Sequence, residues 1–281
     1  MRADIAYLAS VGLAGRRAGT PGSDTAANFI ARRLSDLQLP PAFGRSKCTS
    51  GSECRPSYLQ LFRMRGAAAT NVGAIITGTD STFRNEYVVI SAHYDHIGRN
   101  GTSLHDPAQT AIHPGADDNA SGTAAMLELA RRFAERPTRR SVLILAFGAE
   151  ELGLVGSNVF VEHPPIELRR IIIALNLDMV GGLRDDRVTV YGVANPFLRV
   201  LLDSANVASR FGLSYEPKSS GRSDDFSFAG RGVPALHITT GEHESYHRTT
   251  DTVEGIELGG LARVTDFVER MARMAAGEAP R

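Results

Sequence analysis

The sequence predicts an α/β fold: a three-layer α/β/α sandwich around a mixed, mainly parallel sheet. Three observations carry this expectation. Val142–Phe147 and Ile171–Leu177 are almost continuously apolar, the mark of strands buried on both faces. Segments of helical period separate the strand-like runs. Strand and helix then alternate toward the C-terminus, which calls for helices on the faces of a parallel sheet.

The elements follow in order. Within the first 40 residues, Ser23 is placed to cap a helix whose Ala26, Phe29, Ile30, Leu34 and Leu37 share one face, and Pro40-Pro41 stops it. Cys48 and Cys54 lie in the polar stretch RSKCTSGSECRPS, with a spacing unlike a zinc knuckle. They are either two free thiols or a disulfide closing a short loop, worth about 2 kcal/mol on the chain-entropy account. Strand-like runs come next at Tyr58–Phe62, Val72–Ile76 and Tyr87–Ser91. Arg99–Gly115 is too rich in Gly, Pro, Asn and Asp for regular structure and reads as a surface loop or a lid. Ser121 is placed to cap a helix through Arg136 that Pro137 ends, and a further helix is expected near Leu152–Glu162. Asn195-Pro196 opens another with a cap and a first-turn proline, running to Phe211. Ala235–Ile238 is a short strand and Ile256–Ala275 a closing helix. No repeat or linker divides the chain, so residues 1–281 are expected to form a single catalytic domain with the first 40 residues packed on it as helices.

Composition narrows the function classes. Hydrophobic residues make up 42% and charged residues 22% of the chain, an ordinary globular balance. The 31 basic and 31 acidic residues cancel, which removes the simplest case for a nucleic-acid partner. No apolar stretch approaches the roughly 18 residues of a membrane span. The start, MRADIAYLASVGLAG, has no leader-like apolar block and is expected to be a first helix. Compartment stays open; the cysteine pair tilts it toward an extracytoplasmic setting with a leader removed. Oligomeric state is open as well.

The chemistry is concentrated where strands end, the rim at which open α/β sheets bind ligands. His93-Tyr94-Asp95 follows one apolar run, Glu150-Glu151 a second, Asp178 a third, and His247 lies beyond the last. Asp117-Asp118 stands before a helix. Singly, each has an ordinary explanation as a surface histidine, a helix-start carboxylate or a turn. Together they form a carboxylate cluster that needs a cation. Two His and three carboxylates with no cysteine suit zinc or another divalent first-row metal, and offer too few oxygens for calcium. One bridging carboxylate lets five ligands hold two ions about 3.5–4 Å apart. Asp95 is placed to fix the tautomer of His93, and one of the paired glutamates to act as general base.

The ordered set LAGRRAGTPGS, SAHYDHIG, GADDNASGTAAMLELAR, AFGAEELGLVGS, LNLDMVGG, SDDFSF and YHRTTDT resembles the di-zinc aminopeptidase family, over nearly the whole chain. That family also contains glutamate carboxypeptidases, glutaminyl cyclases and the transferrin receptor. The resemblance implies two Zn2+ ions, one held by His93 and Asp178, the other by Glu151 and His247, with Asp118 bridging and a cis peptide to Asn119. It implies Glu150 as general base, Tyr246 as an oxyanion contact, Asp95 supporting His93 and Asp224 orienting His247. The implied partner is a peptide with a free N-terminus, and the implied reaction metal-assisted hydrolysis.

Two departures stand out: Asp225 occupies a position where many relatives have His, and no protease-associated insert precedes His93. His96, His105 and His113 are read as solvated or supporting residues, not ligands. Among alternatives, a glutaminyl cyclase is disfavoured by the absence of Trp. A carboxypeptidase or dipeptidase of the type with a dimerisation insert is disfavoured by the short stretch between Asp178 and His247. A non-catalytic binding module is disfavoured because all five ligands and Glu150 are present.

Overall fold

The computed structural model describes residues 1–44, 56–64, 66–99, 104–105 and 110–278. Cys48 and Cys54 lie outside the described residues, as do 100–103 and 106–109 of the segment read as a loop or lid.

Eight strands form one sheet among the described residues: β1 (Leu59–Met64), β2 (Ala67–Ile76), β3 (Tyr87–His93), β4 (Ser141–Phe147), β5 (Ile171–Leu177), β6 (Arg187–Tyr191), β7 (Gly212–Glu216) and β8 (Ala235–Thr239). Their spatial order is β1-β2-β4-β3-β5-β8-β6-β7. The central four, β4, β3, β5 and β8, run parallel, and antiparallel pairings flank them. Strands β6 and β7 were not expected. They are five residues each and partly exposed; RVTVY and GLSYE do alternate, but over too short a run to stand out from the loops around them.

The strand period of two divides the core. Val88, Ile90, Val142, Ile144 and Leu175 face one layer; Val89, Leu143, Leu145, Phe147 and Ala174 face the other. The first layer holds α1 (Arg2–Leu8), α2 (Pro21–Asp36), α3 (Gly122–Glu135), α5 (Pro196–Ser209) and α7 (Leu258–Ala275). The second holds α4 (Val155–Glu162) and α6 (Asp225–Ala229). This is the expected sandwich.

Two caps differ from expectation. Thr20 occupies the N-cap of α2 with Pro21 first in the helix, and Ser23 lies buried inside it. Ser121 has helical dihedrals; its hydroxyl donates to the Asp117 carbonyl and accepts from the Val180 amide. The capping bond to the Gly122 amide comes instead from Asn119 Oδ1, at 3.0 Å. Asn195 does cap α5, accepting from the Phe197 amide at 2.9 Å.

The chain leaves β3 through α3 to reach β4 on one side, then crosses by α4 on the opposite face to β5 on the other side. The crossovers diverge at β3 and β5, and the crevice beyond their carboxyl ends is where such sheets bind ligands.

Candidate metal centre

Each site residue is delivered by the end of a parallel element. His93 is the last residue of β3, and Asp178 follows β5 directly. Glu150 and Glu151 follow β4 after a short turn, and His247 lies in the loop after β8. Asp118 sits in a kinked turn, Ala116–Ser121, where it and Asn119 leave helical dihedrals before the chain enters α3. Gly122 is needed behind this turn: a Cβ there would stand 2.3 Å from Asn119 Oδ1 and 2.5 Å from the Leu177 carbonyl. The Asp118–Asn119 peptide is cis.

The five candidate ligands converge on two adjoining points. His93 Nε2 lies 3.2 Å from Asp178 Oδ1 and 3.3 Å from Asp118 Oδ1. His247 Nε2 lies 3.0 Å from Asp118 Oδ2 and 3.2 Å from Glu151 Oε2. The two oxygens of Asp118 thus face the two imidazoles separately, as a bridging carboxylate requires. Donor atoms of His93, Glu150 and Asp178 all lie within 4.8 Å of one another, and so do those of His96, Asp118 and Glu151. Imidazoles beside carboxylates, with no sulfur, are a donor set that fits zinc.

The charge demand is legible in the titration of these groups. Burial works against a charged His93, yet Glu150, Asp178 and Asp118 outweigh it and hold its pKa well above the usual value. Burial likewise opposes His247, but its bonds to Asp118 and Glu151 push it up to about 10. Asp118 and Glu151 are both drawn below the usual carboxylate range; burial raises them, and their imidazole partners more than offset it. The cluster therefore favours positive charge, which a divalent cation satisfies on the same donors.

Glu150 behaves oppositely to its neighbour. Burial, together with Glu151 and Asp178, raises its pKa well above the usual value. Its Oε2 stands 4.0 Å from His93 Nε2, and its backbone amide donates to Asp95 Oδ1 at 3.0 Å. The His93 tautomer contact differs in detail from expectation. Nδ1 meets the Asp95 carbonyl at 3.3 Å, while the Asp95 carboxylate is 3.9 Å away and serves the Glu150 amide. Tyr246 stacks on His247 with ring centroids 3.9 Å apart, and its phenol oxygen accepts from Arg222 at 3.3 Å. Burial near Asp118 and Glu151 raises the phenol further, so it stays protonated.

Asp224 is a correction. The charged groups that act on it are His93, Asp95 and Asp178 rather than His247. It opens α6, which packs against β5 and β8. Asp225, the departure noted above, is buried beside His237 with both oxygens unpartnered.

Several supporting residues were not assigned from sequence. Asp251 accepts the amides of Asp117 and Asp118 at 2.9 and 3.0 Å, fixing the turn that carries the bridge. Asp117 accepts from the Gly181 amide at 2.7 Å and meets His243 Nε2 at 3.0 Å. Ser223 donates to Asp178 Oδ2 at 2.6 Å. His96 is fully buried, with Nδ1 2.8 Å from Glu151 Oε1, a supporting place rather than a solvated one. His105 stacks edge-on against Tyr246 and His247. Asp251 and Ser223 fall inside the motifs YHRTTDT and SDDFSF, the one signal that pointed toward them.

A cavity of about 310 Å3 opens over the cluster. Beyond the ligands, Leu154, Met179, Tyr191, Arg222 and Tyr246 line it.

Residues 71–272, which hold the whole cluster, match the family described as Peptidase family M28. The chain belongs to this family. Aminopeptidase YwaD of Bacillus subtilis is 33% identical over 196 residues, covering 65% of this chain and 40% of the relative. Leupeptin-inactivating enzyme 1 of Streptomyces exfoliatus is 30% identical over 219 residues, covering 76% and 40%. The chain thus spans about two fifths of the length of the curated relatives it matches. The solved zinc aminopeptidase of Bacillus subtilis shares the fold, with a TM-score of 0.76 at 20% identity over 98% of this chain and 94% of that one.

Proposed function

We propose that this M28 chain is a zinc-dependent aminopeptidase that removes N-terminal residues from peptides, with two Zn2+ held in the cup. The observation that carries the reading is Asp118, whose two oxygens face His93 at 3.3 Å and His247 at 3.0 Å and so prepare two neighbouring cation sites. The named activities of the relatives, aminopeptidase and leucine aminopeptidase among them, point the same way. His93, Asp178 and Asp118 would hold one ion, Glu151, His247 and Asp118 the other. When bound, such ions supply Lewis acidity, polarising a carbonyl and lowering the pKa of water toward about 7.

The chain's own residues do the rest. Glu150, raised above the usual carboxylate range by burial, accepts a proton from the attacking water and returns it to the departing amine. The Tyr246 phenol, its oxygen occupied by Arg222, directs its proton away from that guanidinium to meet the developing oxyanion. Asp95 holds the Glu150 backbone, and Ser223 holds Asp178, so that the reacting groups need little reorganisation.

A panel of aminoacyl-nitroanilides and N-acetylated peptides, assayed with and without chelator, tests this reading. Chelator-sensitive cleavage of free N-termini is expected. Cleavage restricted to N-blocked substrates would refute the aminopeptidase assignment and leave a metal hydrolase. The same panel with N-terminal glutamine peptides would reveal a cyclase by loss of ammonia without loss of a residue.

A further inference from the structure

We propose that Arg16, which lies outside the residues matched to the family, is a positioning residue of the metal centre, clamping the two backbone segments that carry His93 and Asp118. The proposal rests on the metal-site reading above.

Arg16 is fully buried. Its guanidinium bonds only to backbone carbonyls: Nε to Tyr94 at 2.7 Å, Nη1 to Leu8 and Pro114 at 2.6 Å each, and Nη2 to Gly115 at 2.9 Å. Tyr94 stands between His93 and Asp95; Pro114 and Gly115 lead directly into the turn that carries Asp117 and Asp118. The rigid fork of N–H donors therefore ties the exit of β3, the entry of the Asp118 turn and the end of α1 to a single point. Ammonium geometry cannot reproduce four such bonds.

The backbone is arranged to place this side chain. Ala14, Gly15 and Arg16 are three successive residues in the left-handed region, with φ of 47°, 73° and 49°. Such conformations are costly for residues with a Cβ and persist where surroundings impose them. A Cβ at Gly15 would stand 2.6 Å from the carbonyls of both Gly98 and His113, so the segment is pressed against the loops on either side. The Arg16 carbonyl in turn accepts from the His96 amide at 3.4 Å.

Arg16 also carries charge into the acidic cup. Burial pushes the guanidinium down to about 10, while Asp251, Asp118, Asp95 and Glu151 pull it up, so it is cationic at neutral pH. Charge and geometry then make opposite predictions. Deleting a buried cation beside carboxylates tightens cation binding if charge alone matters. Loosening the clamp weakens it, because supports of metal ligands typically contribute about 10–100-fold in affinity.

The test compares wild type, Arg16→Lys and Arg16→Met in the full chain. Zinc affinity is measured by chelator competition, the ligand field by the absorption spectrum of the cobalt-substituted protein, and kcat and KM separately. We expect both variants to fold, to bind zinc about 10–100-fold more weakly, to shift the cobalt spectrum, and to lose kcat with KM within about threefold. Folded variants with unchanged or tighter zinc binding overturn the role. Failure of both to fold overturns it too, making Arg16 a core residue only. A wild-type chain without zinc affinity instead overturns the underlying metal-site reading.

Discussion

Glu150 and Glu151 leave the same strand as neighbours, yet their surroundings pull them apart. Glu151 is held anionic by two imidazoles, whereas Glu150 is buried among carboxylates and raised. Adjacent acids with opposed shifts are how one site divides ligand from base. Glu150→Gln should therefore retain zinc, measured by elemental analysis, and lose turnover by roughly 10²–10⁴-fold. Near-normal turnover would remove the proposed base. Asp251→Asn turns one of the two acceptor oxygens into an NH2 and leaves the Asp117 or Asp118 amide without its acceptor, so it should cost about 1–3 kcal/mol by denaturant unfolding and weaken zinc binding. At this scale the sequence revealed the ligands better than their supports. His93, Glu151 and Asp178 stand at the ends of apolar strands, where polarity is conspicuous. Asp251 and Ser223 come from loops that fold back on the cup, and the role of Asp224 rested on the resemblance alone, with no pattern in the chain to check it.

Among the elements, α3 is tied to α7 by Arg132 as well as by apolar packing. Within α3, Glu128 accepts from Arg131 and Arg132, and Arg132 reaches Asp266 and Glu269 on α7. The bond from Arg131, chiefly, then that from Arg132, draws Glu128 from 4.5 down to about 2. A depressed folded pKa stabilises above the unfolded value and is lost as pH falls through the folded one. Glu128→Gln should thus cost about 1 kcal/mol at neutral pH, a figure limited by solvent screening. The difference from wild type, followed by thermal melts, should shrink between pH 4.5 and about 2. A penalty that stays constant across that range would exclude the ion pairs as its source. The helix α5 was legible from Asn195 and Pro196 at its start, and α7 from its apolar face. Strands β6 and β7 were not, because five alternating residues are too short a run to stand out from the loops around them.

For the molecule as a whole, balanced totals conceal an uneven distribution. The 31 acids and 31 bases cancel over the chain, while Asp95, Asp118, Glu150, Glu151, Asp178 and Asp251 crowd one end of the sheet. Cations that bind there and not to the unfolded chain stabilise the fold by mass action, about 2.7 kcal/mol at a hundredfold excess over Kd. Stripping zinc with chelator should lower Tm by several degrees, and adding zinc should restore it. A melt unmoved by either treatment would separate the cup from the stability of the fold. The three layers themselves were predicted from near-continuous apolar strands alternating with helices, and the split of β3 and β4 side chains between two cores accounts for apolar residues on both faces.

The most direct test of the central claim is zinc stoichiometry by equilibrium dialysis and elemental analysis, for wild type and Asp118→Asn side by side. Two zinc ions per wild-type chain are predicted, with both sites weakened in Asp118→Asn because that side chain faces His93 and His247 alike. A wild-type chain that stays metal-free under zinc supplementation, or an Asp118→Asn chain that binds two ions as tightly as wild type, would contradict the account.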